Sequence, residues 1–314
     1  MPSKKCLVIG DINIDFDIHS NRYPAEGGEA HAEQADFRLG GSGCITAINL
    51  QLLGQPVSLA ANMGADIFSQ FAEEHIKASG IDGSLIRNLP GEQTGFFMIL
   101  VTPGGQRTMF GNRGANAVAL DKGVILSRLG EFSHLHVSGY SLLGNDQFDV
   151  VSQVMDRAKS SGITVSLDPG VCTSEQAAEK VLGLLKHVDY FLPSQDELSS
   201  LVKDMEFEEK VVTLLELGCK VVALKQGKGG GKYFEAGLTV SAPAENVPCK
   251  QIVDTTGAGD CFNAGFLMGV LNGKTPEEAL RMANAAAFRI ITSRHGIVDL
   301  VIEARSWRGD LNHR

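Results

Sequence analysis

Residues 254–266, DTTGAGDCFNAGF, set three small residues, Gly257, Ala258 and Gly259, before a carboxylate, Asp260, and an apolar helical run. A helix N-terminus presents unpaired N–H groups and the positive end of the helix dipole, so it attracts anions. Asp260 is then either an ordinary N-cap or half of a site whose other half is a bound anion. Capping needs no cleared turn, whereas close approach of a phosphate to backbone N–H groups does. The Gly-Ala-Gly run therefore favours the anion. Phe262, Phe266 and Val270 follow on one face of a buried helix that Gly273 closes, and Thr275-x-x-Glu278 with Pro276 reads as the capping box of a second helix.

A second glycine turn, RLGGSGCITAINLQLLG at 38–54, places Gly40, Gly41 and Gly43 before a helix that Gly54 and Pro56 end. Gly41-x-Gly43-x-x-Thr46 comes near the dinucleotide fingerprint but finishes on Thr46, and the first clear strand leads instead into GDINID. Both points weigh against a flavin or NAD oxidoreductase. A third cluster, LKQGKGGGKYF at 224–234, is not a phosphate-binding P-loop, because Tyr233 follows Gly231-Lys232. It reads as a tight turn at the carboxyl edge of a sheet, with a plain hairpin as the alternative.

These turns need a scaffold. Short apolar runs at 6–10, 134–139, 164–168, 190–193 and 221–225 read as buried parallel strands. Helical patterns at 146–162 and 197–218 lie between them, with Gly162 and Gly218 at their C-termini. Such alternation predicts a parallel sheet covered by helices. Residues 11–36 and 95–111 break the rhythm, the latter reading as strand, PGG turn, strand. The predicted division is an α/β core of 1–10, 37–94 and 112–314, with a small discontinuous β-sheet lid of 11–36 and 95–111. An extra edge hairpin of the main sheet is the alternative.

The chain has 314 residues, 43% hydrophobic and 21% charged, which suits one large core with an appendage. A net charge of −9 excludes a general nucleic-acid binder. The N-terminal CLVIG is too short for a signal peptide, and no stretch approaches a membrane span. Six cysteines, Cys6, Cys44, Cys172, Cys219, Cys249 and Cys261, form no C-x-x-C pair and read as reduced, buried thiols of a cytoplasmic protein. Cys261 sits in a first helical turn, where packing is the preferred reading.

Taken together, GGSGCITAINLQLLG and DTTGAGDCFNAGF resemble the two signatures of the ribokinase-like (PfkB) carbohydrate and nucleoside kinases. GDINID, GGQRT, HVSGY, LDPG, LPSQDE and LKQGKGGG stand in family order, so the resemblance spans nearly the whole chain. It implies an α/β fold, a ribokinase-like three-layer α/β/α core with a mostly parallel sheet and a small β lid. It also implies ATP-dependent phosphoryl transfer to a hydroxyl of a small sugar or sugar-like substrate. Such transfer relies on positioning and charge stabilisation. Asp260 would be the general base, and the amides of Gly257, Ala258, Gly259 and Asp260 the anion hole. With an ordinary carboxyl pKa of about 3.9, Asp260 is expected to be ionised near neutral pH.

By family position the nucleotide falls to Ser194, Lys225, Gly227, Gly230, Gly257, Gly259 and Asn284. Glu197 would organise Mg²⁺ through water, as suits a hard cation that keeps its hydration shell. Asp254 and Thr256 match a monovalent-cation site, K⁺ in kind, with ITSRHGI at 291–297 supplying carbonyls. Asn13, Asp15, Gly41, Ser42, Arg107 and Asp260 are assigned to the acceptor, where amide and carboxylate groups suit vicinal hydroxyls. Arg107 and Arg113 are placed to reach an acceptor carboxylate or phosphate. The chain departs from the family at Ser194 and Ile45, where Asn is usual, and at DPGVC (168–172), where many carry DPN-x-R; acceptor identity stays open. The alternatives are a nucleoside kinase with a base pocket from Phe16, Phe96, Phe97 or Phe110, and a non-catalytic sugar- or nucleotide-binding homologue, which the intact GAGD argues against. Lid edges covered by a second copy would make a homodimer.

Overall fold

The computed structural model describes residues 5–301 apart from 104–105, 171–174, 246–251, 253, 294–296 and 298. Cys172, Cys249, the end of DPGVC, the two glycines of the PGG turn and residues 294–296 of ITSRHGI lie outside the described residues. The first apolar run forms β1 (Lys5–Ile9). Its alternate residues are all buried because both faces are covered: Cys6 and Val8 point into one core cluster, Leu7 and Ile9 into another.

The cluster around Val8 is roofed by α1 (Ser42–Leu52), α2 (Ile67–Ser79), α8 (Ala258–Leu271) and α9 (Pro276–Ile291). The opposite cluster is covered by α3 (Lys122–Arg128), α4 (Asn145–Ser160), α5 (Glu175–Leu184), α6 (Gln195–Leu201) and α7 (Phe207–Glu216). Between them runs a nine-stranded sheet. Its parallel part comprises β1, β4 (Val57–Gly64), β5 (Asp82–Leu89), β8 (Phe132–Ser138), β9 (Thr164–Asp168), β10 (Tyr190–Phe191) and β11 (Val221–Lys225). The strands β12 (Gly231–Glu235) and β13 (Leu238–Ala242) add an antiparallel edge beyond β11. In the order β13-β12-β11-β10-β9-β8-β1-β4-β5, β1 lies between β8 and β4. Successive units thus wind outward from β1 in both directions, and the carboxyl ends of β1 and β8 mark the switch point where α/β proteins bind ligands.

A second sheet, in the order β3-β2-β6-β7, is built from β2 (Asn13–His19), β3 (Gln34–Gly40), β6 (Gly95–Val101) and β7 (Arg107–Asn112). Residues 37–40, assigned above to the core, belong instead to β3. Period-two alternation gives the sheet two characters. Asp15, Arg38 and Phe97 are cross-strand partners on one face. Phe16, Phe37 and Met98 are partners on the other, where Phe16 meets Phe68 and Phe37 meets Phe71 of α2.

The pattern at 197–218 is two helices rather than one. Asp204 adopts a left-handed φ of 54°, which Asp tolerates better than most residues. Glu206 then opens α7 through a reciprocal cap with Glu209. The turn at 226–230 joins β11 to β12, so the hairpin reading describes its geometry. No helix among the described residues is long and apolar enough to cross a membrane.

Candidate active site

Two cavities meet at the carboxyl edge of the large sheet, separated by the turn into α8. The smaller, about 220 Å³, includes Thr256, Gly257 and Asp260 in its lining; the larger, about 590 Å³, includes Thr255, Ala258 and Gly259. One short turn therefore presents its residues to both spaces. Gly257 is the N-cap of α8 with φ 76°, a left-handed conformation that a side chain would strain. Ala258 N donates to Thr255 O at 3.2 Å, so that amide is engaged in the turn and is removed from the expected anion hole. Among the described residues, the amides of Gly257, Gly259 and Asp260 donate to no protein acceptor.

The smaller cavity is lined from the second sheet by Asn13, Asp15, Arg38 and Phe97, and from the core by Asp11, Gly41, Ser42, Ile45, Tyr140 and Asp260 among others. Its polar groups are fixed by one another. Asp11 accepts from Gly43 N (3.1 Å) and Asn13 Nδ2 (3.0 Å), while Asn116 Nδ2 donates to Asn13 Oδ1 (2.9 Å) and Ile12 O (2.9 Å). This requires α1 to start against the end of β1, where a Cβ on Gly10 or Gly43 would strike the other glycine. Burial raises the Asp15 carboxyl to about 7 against the pull of Arg38, with Asp17 and Asp11 adding to the rise.

Asp260 is part-buried on the cavity wall, and its Oδ1 accepts from Ser42 Oγ at 2.5 Å. Burial, then the Asp168 charge, pushes its carboxyl up to about 8, while Ser42 and Lys225 pull it down. The expectation of an ordinary, ionised Asp260 is thus corrected: the sequence could not supply the low-polarity surroundings or the second acid. Behind it, Lys225 Nζ donates to Asp168 Oδ2 (2.8 Å) and stands 3.7 Å from Glu197 Oε2. Asn263 Nδ2 also donates to Asp168 Oδ2. Burial opposes the Asp168 charge, but Lys225 outweighs it and holds that carboxyl low; for Glu197 burial prevails and the carboxyl is raised.

The larger cavity is lined by Lys225, Gly227, Gly230, Gly259 and Asn284. Asn284 spends its amide protons on Ala242 O (3.1 Å) and Pro243 O (2.9 Å), fixing the cavity wall. Ser194 and Glu197 line neither cavity. They cap α6 reciprocally, Ser194 N donating to Glu197 Oε2 (2.6 Å) and Glu197 N to Ser194 Oγ (3.2 Å).

Asp254 is not open to a monovalent cation. Its Oδ1 accepts from Arg107 Nη2 (2.5 Å), Thr256 N (3.0 Å) and Thr256 Oγ1 (2.9 Å), and its Oδ2 from Arg38 Nη2 (2.6 Å). Thr256 Oγ1 further accepts from Arg107 Nη1 at 2.8 Å. Among the described residues, two guanidiniums stand on the carboxylate where the cation was expected, so the Asp254 and Thr256 side chains do not fit it. Arg107 correspondingly is not on the wall of the smaller cavity; it is spent on Asp254, Thr255 and Thr256. Arg113 is likewise occupied, donating to the carbonyls of Leu143, Asn116 and Tyr140. Sequence reasoning passed over Arg38, Asn116, Asp168 and Asn263. Only Asp168 carried a signal, as the first acid of LDPG at a strand end.

Comparison with known proteins agrees with this architecture. The family model described as pfkB family carbohydrate kinase matches residues 3–302. The chain is 30% identical to a ribokinase of Arabidopsis thaliana, covering 90% of this chain and 74% of the relative. It is 25% identical to a 2-dehydro-3-deoxygluconokinase of Escherichia coli, covering 94% and 97%. A solved Arabidopsis ribokinase complexed with ribose and ATP superposes with a TM-score of 0.81 at 26% identity, covering 97% of this chain and 99% of that one. A candidate ribokinase II of E. coli, solved with ATP and Mg²⁺, gives a TM-score of 0.82 at 24% identity, covering 98% and 99%.

Proposed function

Since the chain belongs to the pfkB family of carbohydrate kinases, we propose that it transfers the γ-phosphate of ATP to a hydroxyl of a small neutral sugar in the smaller cavity. The observation that carries this reading is the turn at 255–260. It borders both cavities, keeps three amides without a protein acceptor, and places a part-buried carboxylate on the acceptor side. Asp260 takes the hydroxyl proton as the new P–O bond forms and the bond to the leaving ADP breaks. A base raised to about 8 suits this, since a base is most effective with its pKa near the working pH. Ser42 holds one carboxylate oxygen and leaves the other for the substrate. The free amides of Gly257, Gly259 and Asp260 then meet the charge on the transferred phosphoryl group.

The larger cavity takes the nucleotide, as the relative solved with ribose and ATP supports. Lys225, buried beside Gly259, faces the phosphates from the other side. Asp168, Glu197 and Asp260 gather around this one lysine, and a hydrated divalent cation beside them would favour their ionised forms. Glu197 would hold Mg²⁺ through water, where the ion supplies charge neutralisation to the phosphates.

Two features narrow the acceptor. Asp11, Asp15 and Asp260 face the smaller cavity, and its one guanidinium, Arg38, is committed to Asp17 and Asp254, which disfavours an anionic substrate. The volume of about 220 Å³ is below the ~300–1,000 Å³ usual for drug-sized ligands. Of the four aromatics considered for a base pocket, Phe97 alone lines it. A panel of pentoses, hexoses, keto-deoxy acids, sugar phosphates and nucleosides, scored for ADP release, tests the proposal. A neutral pentose or hexose should lead; turnover confined to nucleosides or sugar phosphates would overturn it. The half-exposed row Phe37, Met98 and Phe110 on the outer face of the second sheet supports a homodimer through the lid.

A further inference from the structure

The contact between the second sheet and the turn into α8 is a chain of alternating charge. Asp17 Oδ2 lies 2.7 Å from Arg38 Nε, Arg38 Nη2 donates to Asp254 Oδ2 at 2.6 Å, and Arg107 Nη2 donates to Asp254 Oδ1 at 2.5 Å. Arg38 and Arg107 together offset the charge of Asp254 and its neighbour Asp17, which weakens the attraction of Asp254 for another cation. The side-chain oxygens are also engaged. Asp254 Oδ1 already accepts three hydrogen bonds, and Thr256 Oγ1 both donates to Asp254 and accepts from Arg107. Burial opposes ionisation of Asp254, but the Thr256 amide and the two guanidiniums outweigh it and hold its carboxyl below the usual range.

The mechanical consequence lies along the backbone. Arg38 is on β3 and Arg107 on β7, the two edge strands of the second sheet. Asp254 grips the amide and hydroxyl of Thr256, and Gly257, the N-cap of α8, follows directly. Arg38 is also the cross-strand partner of Asp15, which faces the small cavity. Whatever occupies the space beside Asp15 therefore bears on the sheet whose arginines set the turn.

We propose that Arg38 and Arg107 are positioning residues that fix the Thr256–Gly257 turn, and that their guanidiniums replace a monovalent cation. The inference rests on the kinase reading above for its catalytic consequence, but not for its cation consequence.

The test compares initial rates at saturating MgATP and sugar in potassium, sodium and tetramethylammonium chloride at one ionic strength, with melting temperatures of the protein alone in the same salts. The wild type should show rates equal within about twofold and no potassium-specific rise in melting temperature. Arg107→Met should lower kcat by about tenfold or more with a smaller change in the sugar KM, and Arg107→Lys should recover part of the loss. Activation of the wild type by potassium of about fivefold or more, or a potassium-specific melting shift, would overturn the replacement. An Arg107→Met variant that loses only sugar affinity would overturn the positioning role. If no sugar is phosphorylated at all, the kinase reading fails by itself, and the melting measurement still decides the cation question.

Discussion

Asp260→Asn acts on catalysis and stability in opposite directions, and the structure sets both. The amide keeps the size of the side chain and an oxygen for the Ser42 hydroxyl, but it cannot accept the substrate proton. Loss of a general base costs about 10²–10⁴-fold in kcat. For stability, the wild-type carboxyl titrates at about 8 in the folded protein, raised by burial and by Asp168. In the unfolded chain it titrates near 3.9, so between those values the native state keeps a proton that the unfolded state has released, and stability falls as pH rises. At about pH 7 the difference is about three units of 1.36 kcal/mol, or roughly 4 kcal/mol. Asn is uncharged in both states and escapes this cost. The variant should therefore be more stable than wild type by up to about 4 kcal/mol near pH 7, with the gain vanishing below about pH 4. Urea unfolding across that range reads the stability, and ADP release reads the activity. The wild-type kcat/KM should climb with pH toward a plateau above about 8, as the free enzyme's base ionises. Turnover retained within about fivefold, or a variant less stable than wild type at neutral pH, would refute the reasoning.

Lys225→Met leaves Asp168 buried without its ammonium partner and should cost about 3–5 kcal/mol at neutral pH. The unpaired carboxyl then favours its proton, so the deficit should shrink toward about pH 5, as urea midpoints at the two pH values would record. Gly257→Ala forces a side chain to φ 76° with its Cβ 3.4 Å from Ile45 Cγ2. The strain of about 1–2 kcal/mol should be relieved by turning an amide out of line, and ADP release should fall by about 10²-fold or more while ATP still binds. Met98→Lys with Phe110→Lys places charge on the exposed row of the second sheet and should convert a dimeric mass in light scattering to a monomeric one; a monomeric wild type would dispose of the dimer.

What could be read in advance divides along a physical line. The turn at 254–260 was legible because its chemistry is carried by backbone, and backbone geometry is written locally by Gly257 and its small neighbours. The helix caps at Thr275–Glu278, three residues apart, were legible for the same reason. β1 was legible as an unbroken apolar run because both of its faces are covered. Charge pairing has no such local signature. Arg38 sits in a polar alternating stretch, and its partner Asp254 is 216 residues away. Lys225 and Asp168 are 57 apart, and Asn263 reaches Asp168 across 95. Arg107 followed a family-like GGQRT and was therefore assigned to the acceptor, although the nearest acid in the folded chain is Asp254.

The same division explains why the ordinary ionisation expected of Asp260 failed. A carboxyl's pKa is a property of what surrounds it, and its surroundings come from β9, β11, α1 and α8 together. Placing a base in a dry site next to a second acid weakens the fold at neutral pH, yet it also sharpens the base for a hydroxyl that ionises only reluctantly. A solvated Asp at the same helix mouth would be more stable and nearly fully ionised, but a weaker proton acceptor by about four orders of magnitude in basicity. The instability that Asp260→Asn should relieve is thus the counterpart of its catalytic use. In the arrangement proposed above, the guanidinium chain on the far side of the turn would serve the same end, holding the amides in place without adding a mobile ion to a site already crowded with fixed charge.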